Sequence, residues 1–325
     1  MLSRVAENIY WMARYIERAE NTARLVSVAT NLMLDLPKGV RQDWAPLIEI
    51  SGSDEAYRKH HQDYGERAVL RFMIGAKDNP DSILASLKNA RENCRTIRDI
   101  VPREVWEQIN ALHLYAAEHM QEGLTKRGRH PFLNDIVVRC QTIAGKVSGT
   151  MNRDQGYRFL RLGCSLERAD MTTRIIDVSA ARLLHEDGPD LEPFANTRWM
   201  AVLRSLSAYQ MYRRSQQPRV QRSAVIRFLL QSSAFPRAIY FCVNQVERSI
   251  AKLPRNESTL RVIGRLKRSL TSSDVGKLGQ EALHAFIDEL QISISDLHQE
   301  LSVTWFLPAP AEENPANSMS SQSSD

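Results

Sequence analysis

The sequence predicts an all-α, multi-helix bundle with an internal repeat of two long central helices, and three observations carry that prediction. Apolar residues recur at alternating spacings of three and four along most of the chain. That is the stripe of an amphipathic helix, not the period of two of a half-buried strand. No alternating run bounded by hairpin turn chemistry occurs. A charged helical pattern that starts at Ile16 starts again at Leu166. With 325 residues, 43% hydrophobic and 25% charged, and only 14 glycines and 13 prolines, the chain is no disordered, collagenous or disulfide-stapled polypeptide.

The elements follow in order. A first helix over 2–34 carries the stripe Ile9, Met12, Ile16, Ala19, Ala23 and Val26. Residues 36–78 hold no sustained period beyond a short helix at 66–76. Asn79-Pro80 reads as the N-cap and first-turn proline of a helix over 80–100, since a first turn has no partner for the donor that proline lacks. Its stripe is Ile83, Leu87, Ala90, Cys94, Ile97 and Val101. Pro102 and Pro131 open helices over 102–122 and 132–150 in the same way. Further helices are expected over 156–185, 197–215, 220–231, 236–253, 257–270 and 274–304. One helical domain then covers 1–307, and the Pro/Ala/Asn/Ser-rich tail at 308–325 is expected to be disordered.

The repeat is the strongest signal. Ile16-Glu17-Arg18-Ala19-Glu20-Asn21-Thr22-Ala23-Arg24 returns as Leu166-Glu167-Arg168-Ala169-Asp170-Met171-Thr172-Thr173-Arg174. The stripe returns in register as Phe159, Leu162, Leu166, Ala169, Thr173 and Ile176, as a duplicated helical unit would give. Glu20 and Arg24 stand four apart and pair along the helix, as do Asp170 and Arg174. Glu17 lies on the same flank, while Arg18 and Thr22 point to the opposite side, near Trp11 and Tyr15. Two readings stay open: buried salt bridges that fix the register of two central helices, or a pseudo-symmetric pocket for a charged ligand. An enzyme needs an open cleft at Glu17 and Glu167; a scaffold can bury them.

Charge is uneven. The chain is +5 overall, with 34 arginines among its 43 basic residues. From Pro193 to Val246 there is no acid, but eight arginines. Arg213, Arg214, Arg219 and Arg222 crowd one connection and form a candidate partner surface, since such a field attracts acidic proteins or other polyanions. Nucleic acid is disfavoured because no aromatic-interleaved basic motif accompanies the charge.

No Walker loop, GxGxxG or GxSxG motif occurs, so no cofactor and no catalytic residue are assigned. A di-metal bundle site needs Glu-x-x-His on two helices; only Glu281-Ala282-Leu283-His284 is present, so no metal is expected and His284 and His60-His61 are read as solvated. Cys94, Cys140, Cys164 and Cys242 form no CxxC pair and read as reduced core residues of a cytoplasmic protein. Because Arg4, Glu7, Arg14 and Glu17 charge the opening segment, neither a signal peptide nor a membrane span is expected there.

Ile16 to Arg24, together with Ala90-Arg91-Glu92-Asn93-Cys94-Arg95 and Phe235-Pro236-Arg237, resembles the bacterial alpha-E domain family, named for its helices and Glu-Arg motif. The resemblance covers roughly residues 1–305 and places the family motif on Glu17, Arg18, Glu167 and Arg168. Members are usually encoded beside a circularly permuted ATP-grasp amidoligase and a transglutaminase-like protein, sometimes with a proteasome-like peptidase. The resemblance thus implies a non-catalytic accessory subunit of a peptide-modifying system. The alternative is an enzyme or ligand-binding domain that uses the Glu/Arg motif.

Overall fold

The computed structural model describes residues 1–35, 43–182, 195–215 and 219–307. Among those residues its only regular elements are helices. In chain order the helices are α1 (Ser3–Asp35), α2 (Ala45–Ser51), α3 (Asp54–Arg58), α4 (Glu66–Gly75), α5 (Ile83–Arg95), α6 (Arg103–Gly123) and α7 (Arg129–Thr150). There follow α8 (Gln155–Arg182), α9 (Ala195–Ser205), α10 (Tyr209–Ser215), α11 (Arg222–Gln231), α12 (Ile239–Ile250), α13 (Glu257–Ser272) and α14 (Gln280–Leu301). The predicted tail at 308–325 and residues 183–185 of the helix predicted over 156–185 lie outside the described residues.

Packing follows the stripes. Helix α1, 33 residues long, lies against α5, α7 and α8; α8, 28 residues long, lies against α1, α2, α12 and α14. Ile9, Met12, Ala19, Ala23 and Val26 on α1 are buried, as are Phe159, Leu162, Leu166, Ala169 and Ile176 on α8. Where α1 and α8 cross, their backbones nearly touch. A Cβ added to Gly163 would stand 2.2 Å from the Tyr10 carbonyl oxygen and 3.2 Å from the Ala13 Cβ.

Several boundaries differ from the sequence expectation: α7 starts at Arg129, so Pro131 lies inside it and does not open it, and four further differences have a local reason. The helix expected over 197–215 is two helices, because Ser207 takes a left-handed φ of 52°. The Ser207 and Ala208 amides then donate to the Arg204 and Leu203 carbonyls, the Schellman stop that glycine usually supplies. Asn79-Pro80 forms the turn before α5 without capping it: Ser82 is the N-cap and accepts from the Ala85 amide at 3.2 Å. Asn79 instead accepts from the Asp81 amide at 2.9 Å, which sets Asp81 beside α1. The stretch 274–304 resolves into a 3-10 turn at Val275–Lys277, α14, and a π-helical turn at Ser302–Phe306. That last turn lays Phe306 against Tyr10, with ring centroids 5.1 Å apart. Finally, α2 and α3 are too short to display a period, which is why 36–78 reads as featureless.

Candidate functional site

The two Glu-Arg pairs meet at the α1–α8 crossing and exchange partners. Glu167 on α8 accepts from Arg18 Nε at 2.5 Å and Nη2 at 3.0 Å. Reciprocally, Glu17 on α1 lies 2.9 Å from Arg168 Nε. Each glutamate takes a second guanidinium: Arg14 Nε reaches Glu167 at 2.7 Å, and Arg237 Nη1 reaches Glu17 at 2.7 Å. Arg237, in the turn before α12, also donates to Asn21 at 2.5 Å and to Glu20 at 2.9 Å, and its carbonyl accepts from Thr172. The pairs expected along each helix form as well, Arg24 on Glu20 at 2.8 Å and Arg174 on Asp170 at 3.1 Å.

Burial makes this network electrostatically strong. Glu17 is 4% exposed and Glu167 2% exposed. Burial alone would raise both carboxyls; Arg168 and Arg237 around Glu17, and Arg14 and Arg18 around Glu167, overcome it and hold both at about 2. The thiol of Cys164 donates to Glu17 at 3.1 Å. Burial holds the thiols of Cys94, Cys164 and Cys242 up at about 12, so none is a ready thiolate near neutrality.

Arg18 corrects the sequence expectation. It was placed opposite Glu17, near Tyr15, and its guanidinium does lie 5.6 Å from that ring. Yet it crosses to Glu167 and also pairs with Asp81, while Thr22 is buried. Here the network reaches the surface: Arg18, Asp81, Trp11 and Tyr15 are all half-buried. Trp11 and Tyr15 stack at 5.5 Å, with Arg14 over Trp11 at 5.0 Å.

Arg14 and Asp81 were not among the predicted motif residues, and Asn21 and Arg237 stood in the quoted segments without an assigned role. The repeat register holds one clue: the position equivalent to Arg14 in α8 is Cys164, so Glu17 must draw its second cation from elsewhere. Tyr10 and His298 were also missed. Arg14 Nη1 donates to the Tyr10 hydroxyl at 3.3 Å, and the same hydroxyl shares a hydrogen bond of 2.9 Å with His298 Nδ1. Burial followed by the Arg14 charge holds the imidazole down at about 4, so it is neutral near pH 7.

These shifts set the acid response. His298 lies below its ordinary 6.5, so its contribution is complete above that pH and is lost as pH falls toward 4. Glu17 and Glu167 lie below 4.5, so theirs is lost only between 4.5 and about 2. Chemical denaturation across pH should show wild type and His298→Gln converging between pH 6.5 and 4 by about 1 kcal/mol, allowing for solvent screening of a half-exposed ring. A pH-independent difference would remove His298 from the account.

The arginine-rich segment divides. Arg213, Arg214 and Arg219 are exposed. Arg219 lines a cavity of about 490 Å³ with Asn196, Met200, Tyr209, Val220 and Gln221. Arg222, expected on the same surface, turns inward and donates to the Leu278 carbonyl at 2.9 Å. Arg227 pairs with Asp274 at 3.2 Å. His284 is exposed but partnered: it faces Asp177 on α8 and Asp288 one turn on, and not a second Glu-x-x-His.

Fold and site together define a helical domain centred on two interlocked Glu-Arg pairs. The chain belongs to the Alpha-E family, described as a predicted alpha-helical domain with a conserved ER motif, whose model matches residues 1–306. Uncharacterized proteins of Mycobacterium bovis and Mycobacterium tuberculosis are 21% identical over 321 residues, covering 92% of this chain and 35% of each relative. The chain thus spans about a third of the length of the curated relatives it matches. No solved structure matches it. Among the described residues no helix is long and apolar enough to cross a membrane.

Proposed function

We propose that this Alpha-E chain is a ligand-binding domain that takes a carboxylate-bearing ligand where its Glu/Arg network surfaces, at Arg18, Asp81, Trp11 and Tyr15. The supporting observation is the state of the two glutamates. Buried, and held ionised at about 2, neither can exchange a proton near neutrality as a general acid or base must. What the network offers to solvent is recognition: a guanidinium fixed by Glu167, neutralised at the rim only by half-exposed Asp81, and flanked by stacked rings. A ligand carboxylate exchanging for Asp81 would meet a preorganised donor pair. The network's common origin in a duplicated helical unit, with α1 and α8 as its two copies, is part of the proposal. The register of the two motifs and their exchanged partners support it.

Calorimetric titration with a hexaglutamate peptide tests this reading. Asp81→Ala should tighten binding by freeing Arg18, and Tyr15→Ala should weaken it several-fold while helicity stays at the wild-type level. If neither variant changes binding, the rim is not the site.

A second reading is favoured by the length of the relatives, in which a segment like this chain is joined to about twice as much further sequence. On that reading the domain is an accessory module of a peptide-modifying system, docking an ATP-grasp amidoligase, and possible companions are transglutaminase-like and proteasome-like proteins. Exposed Arg213, Arg214 and Arg219 then face the acidic partner. Reversing all three to glutamate should abolish co-purification with the ligase and leave the hexaglutamate isotherm unchanged. Retained co-purification would discard this surface.

A further inference from the structure

We propose that Arg161 and Arg168 form a second ligand site, on the opposite half of the network from Arg18, and that it takes a small dicarboxylate. The two halves are not equivalent. In the repeat register Arg168 stands where Arg18 does, Arg161 where Trp11 does and Cys164 where Arg14 does. Arg18 holds two carboxylates: its Nε and Nη2 go to Glu167 and its Nη1 goes to Asp81. Arg168 holds one. Its Nε lies 2.9 Å from Glu17 but off the line of a hydrogen bond, and among the described residues no hydrogen bond engages its Nη groups.

The second carboxylate is missing for a reason visible in the fold. Asp81 precedes Ser82, the N-cap of α5, which lies against α1; Arg237 precedes Ala238, the N-cap of α12, which lies against α8. A guanidinium thus stands where the first half has a carboxylate, and it is spent on Glu17, Glu20 and Asn21. Glu167 and Asp81 balance Arg14 and Arg18. Arg24, Arg161, Arg168 and Arg237 stand with only Glu17 and Glu20, an excess of two positive charges.

That excess reaches solvent at one place. Arg161, Cys164 and Arg168 follow one another by a turn on a single face of α8, and all three are half-buried. Burial holds the thiols of Cys164 and of Cys242 on α12 at about 12, and Arg168 and Arg161 both act against it at each, so the two guanidiniums converge beside α12. Among the described residues no ion pair or hydrogen bond engages the Arg161 side chain. Two unengaged guanidinium forks suit two carboxylates, one on each. Seven residues place them about 10 Å apart along the helix, a span that a succinate-sized diacid bridges and a compact phosphate does not. With Arg161 in place of Trp11 and buried Ser165 in place of Tyr15, this face has no stacked rings and selects for charge.

The test is a calorimetric titration of the full chain with succinate. Labelling of Cys164 by neutral dithiodipyridine, followed by mass spectrometry, gives a local readout, since Cys94, Cys140 and Cys242 are buried and Cys164 is half-buried. One saturable equivalent is expected, and it should slow Cys164 labelling several-fold. Arg161→Gln, at a half-buried side chain that no ion pair fixes, should fold as wild type, weaken succinate at least tenfold and abolish the protection. Arg168→Lys, which keeps a charge beside Glu17 but loses the fork, should weaken binding comparably. Arg103→Gln, an exposed arginine of α6, should change neither readout. No saturable succinate binding, or an Arg161→Gln protein that binds it as tightly as wild type, overturns the proposal. Inorganic phosphate binding more tightly than succinate overturns the dicarboxylate assignment.

Discussion

Glu167→Ala should destabilise the domain by about 3–5 kcal/mol, the range found when one partner of a buried ion pair is removed. The variant leaves Arg14 with only the Tyr10 hydroxyl and Arg18 with only Asp81, both guanidiniums being largely out of water. The measurement is the urea midpoint at unchanged m-value. The matched control is Glu107→Ala, which breaks the exposed Arg103–Glu107 pair and should cost well under 1 kcal/mol. Equal losses in the two variants would mean that the Glu/Arg network is solvated.

Gly163→Ala should cost about as much, for a steric and not an electrostatic reason. Overpacking by one methyl typically costs about 1–3 kcal/mol, and more where the neighbour cannot move. Here the neighbour is the Tyr10 carbonyl, 2.2 Å from the added Cβ and held inside α1, so two helix backbones must separate. Their separation also pulls Arg14 and Arg18 away from Glu167, so a loss of about 3 kcal/mol or more is expected. Gly145→Ala on α7, whose Cβ would meet nothing within 4 Å, should be neutral or slightly stabilising. A Gly163→Ala protein with unchanged Tm would refute the close crossing.

What was legible in the sequence was everything set by position along one helix. The stripes on α1, α5, α8 and α14, the Glu20–Arg24 and Asp170–Arg174 pairs, and the small residues that face a neighbouring helix all follow from a period of 3.6. What was not legible depends on which face meets which. Nothing in the spacing of Glu17 and Arg18 says that they point to different partners, or that those partners are Arg168 and Glu167. Arg237 stood in the quoted segment Phe235-Pro236-Arg237, but its partners were not legible. It sits in an acid-free segment that reads as a surface field, yet one of its eight arginines is a core residue and another, Arg222, is half withdrawn. The break at Ser207 escaped because serine occupies a left-handed position where glycine would have announced the stop.

The exchange of partners between the two Glu-Arg pairs also sets a timetable for synthesis. Helix α1 leaves the ribosome before its partners, carrying Glu17 and Glu20 beside Arg14 and Arg18 on the face destined for the interior. Arg18 finds Glu167 only after another 149 residues, and Glu17 finds Arg237 only after 220. At about 5–20 residues per second that wait is on the order of 10–40 s. During it Glu20 has Arg24 on its own helix and Arg18 can meet Asp81, but Glu17 lacks both of the guanidiniums that hold it in the folded core. The Glu17 and Glu167 pairs can therefore close only once α8 has been made, and the last of them only with the turn before α12.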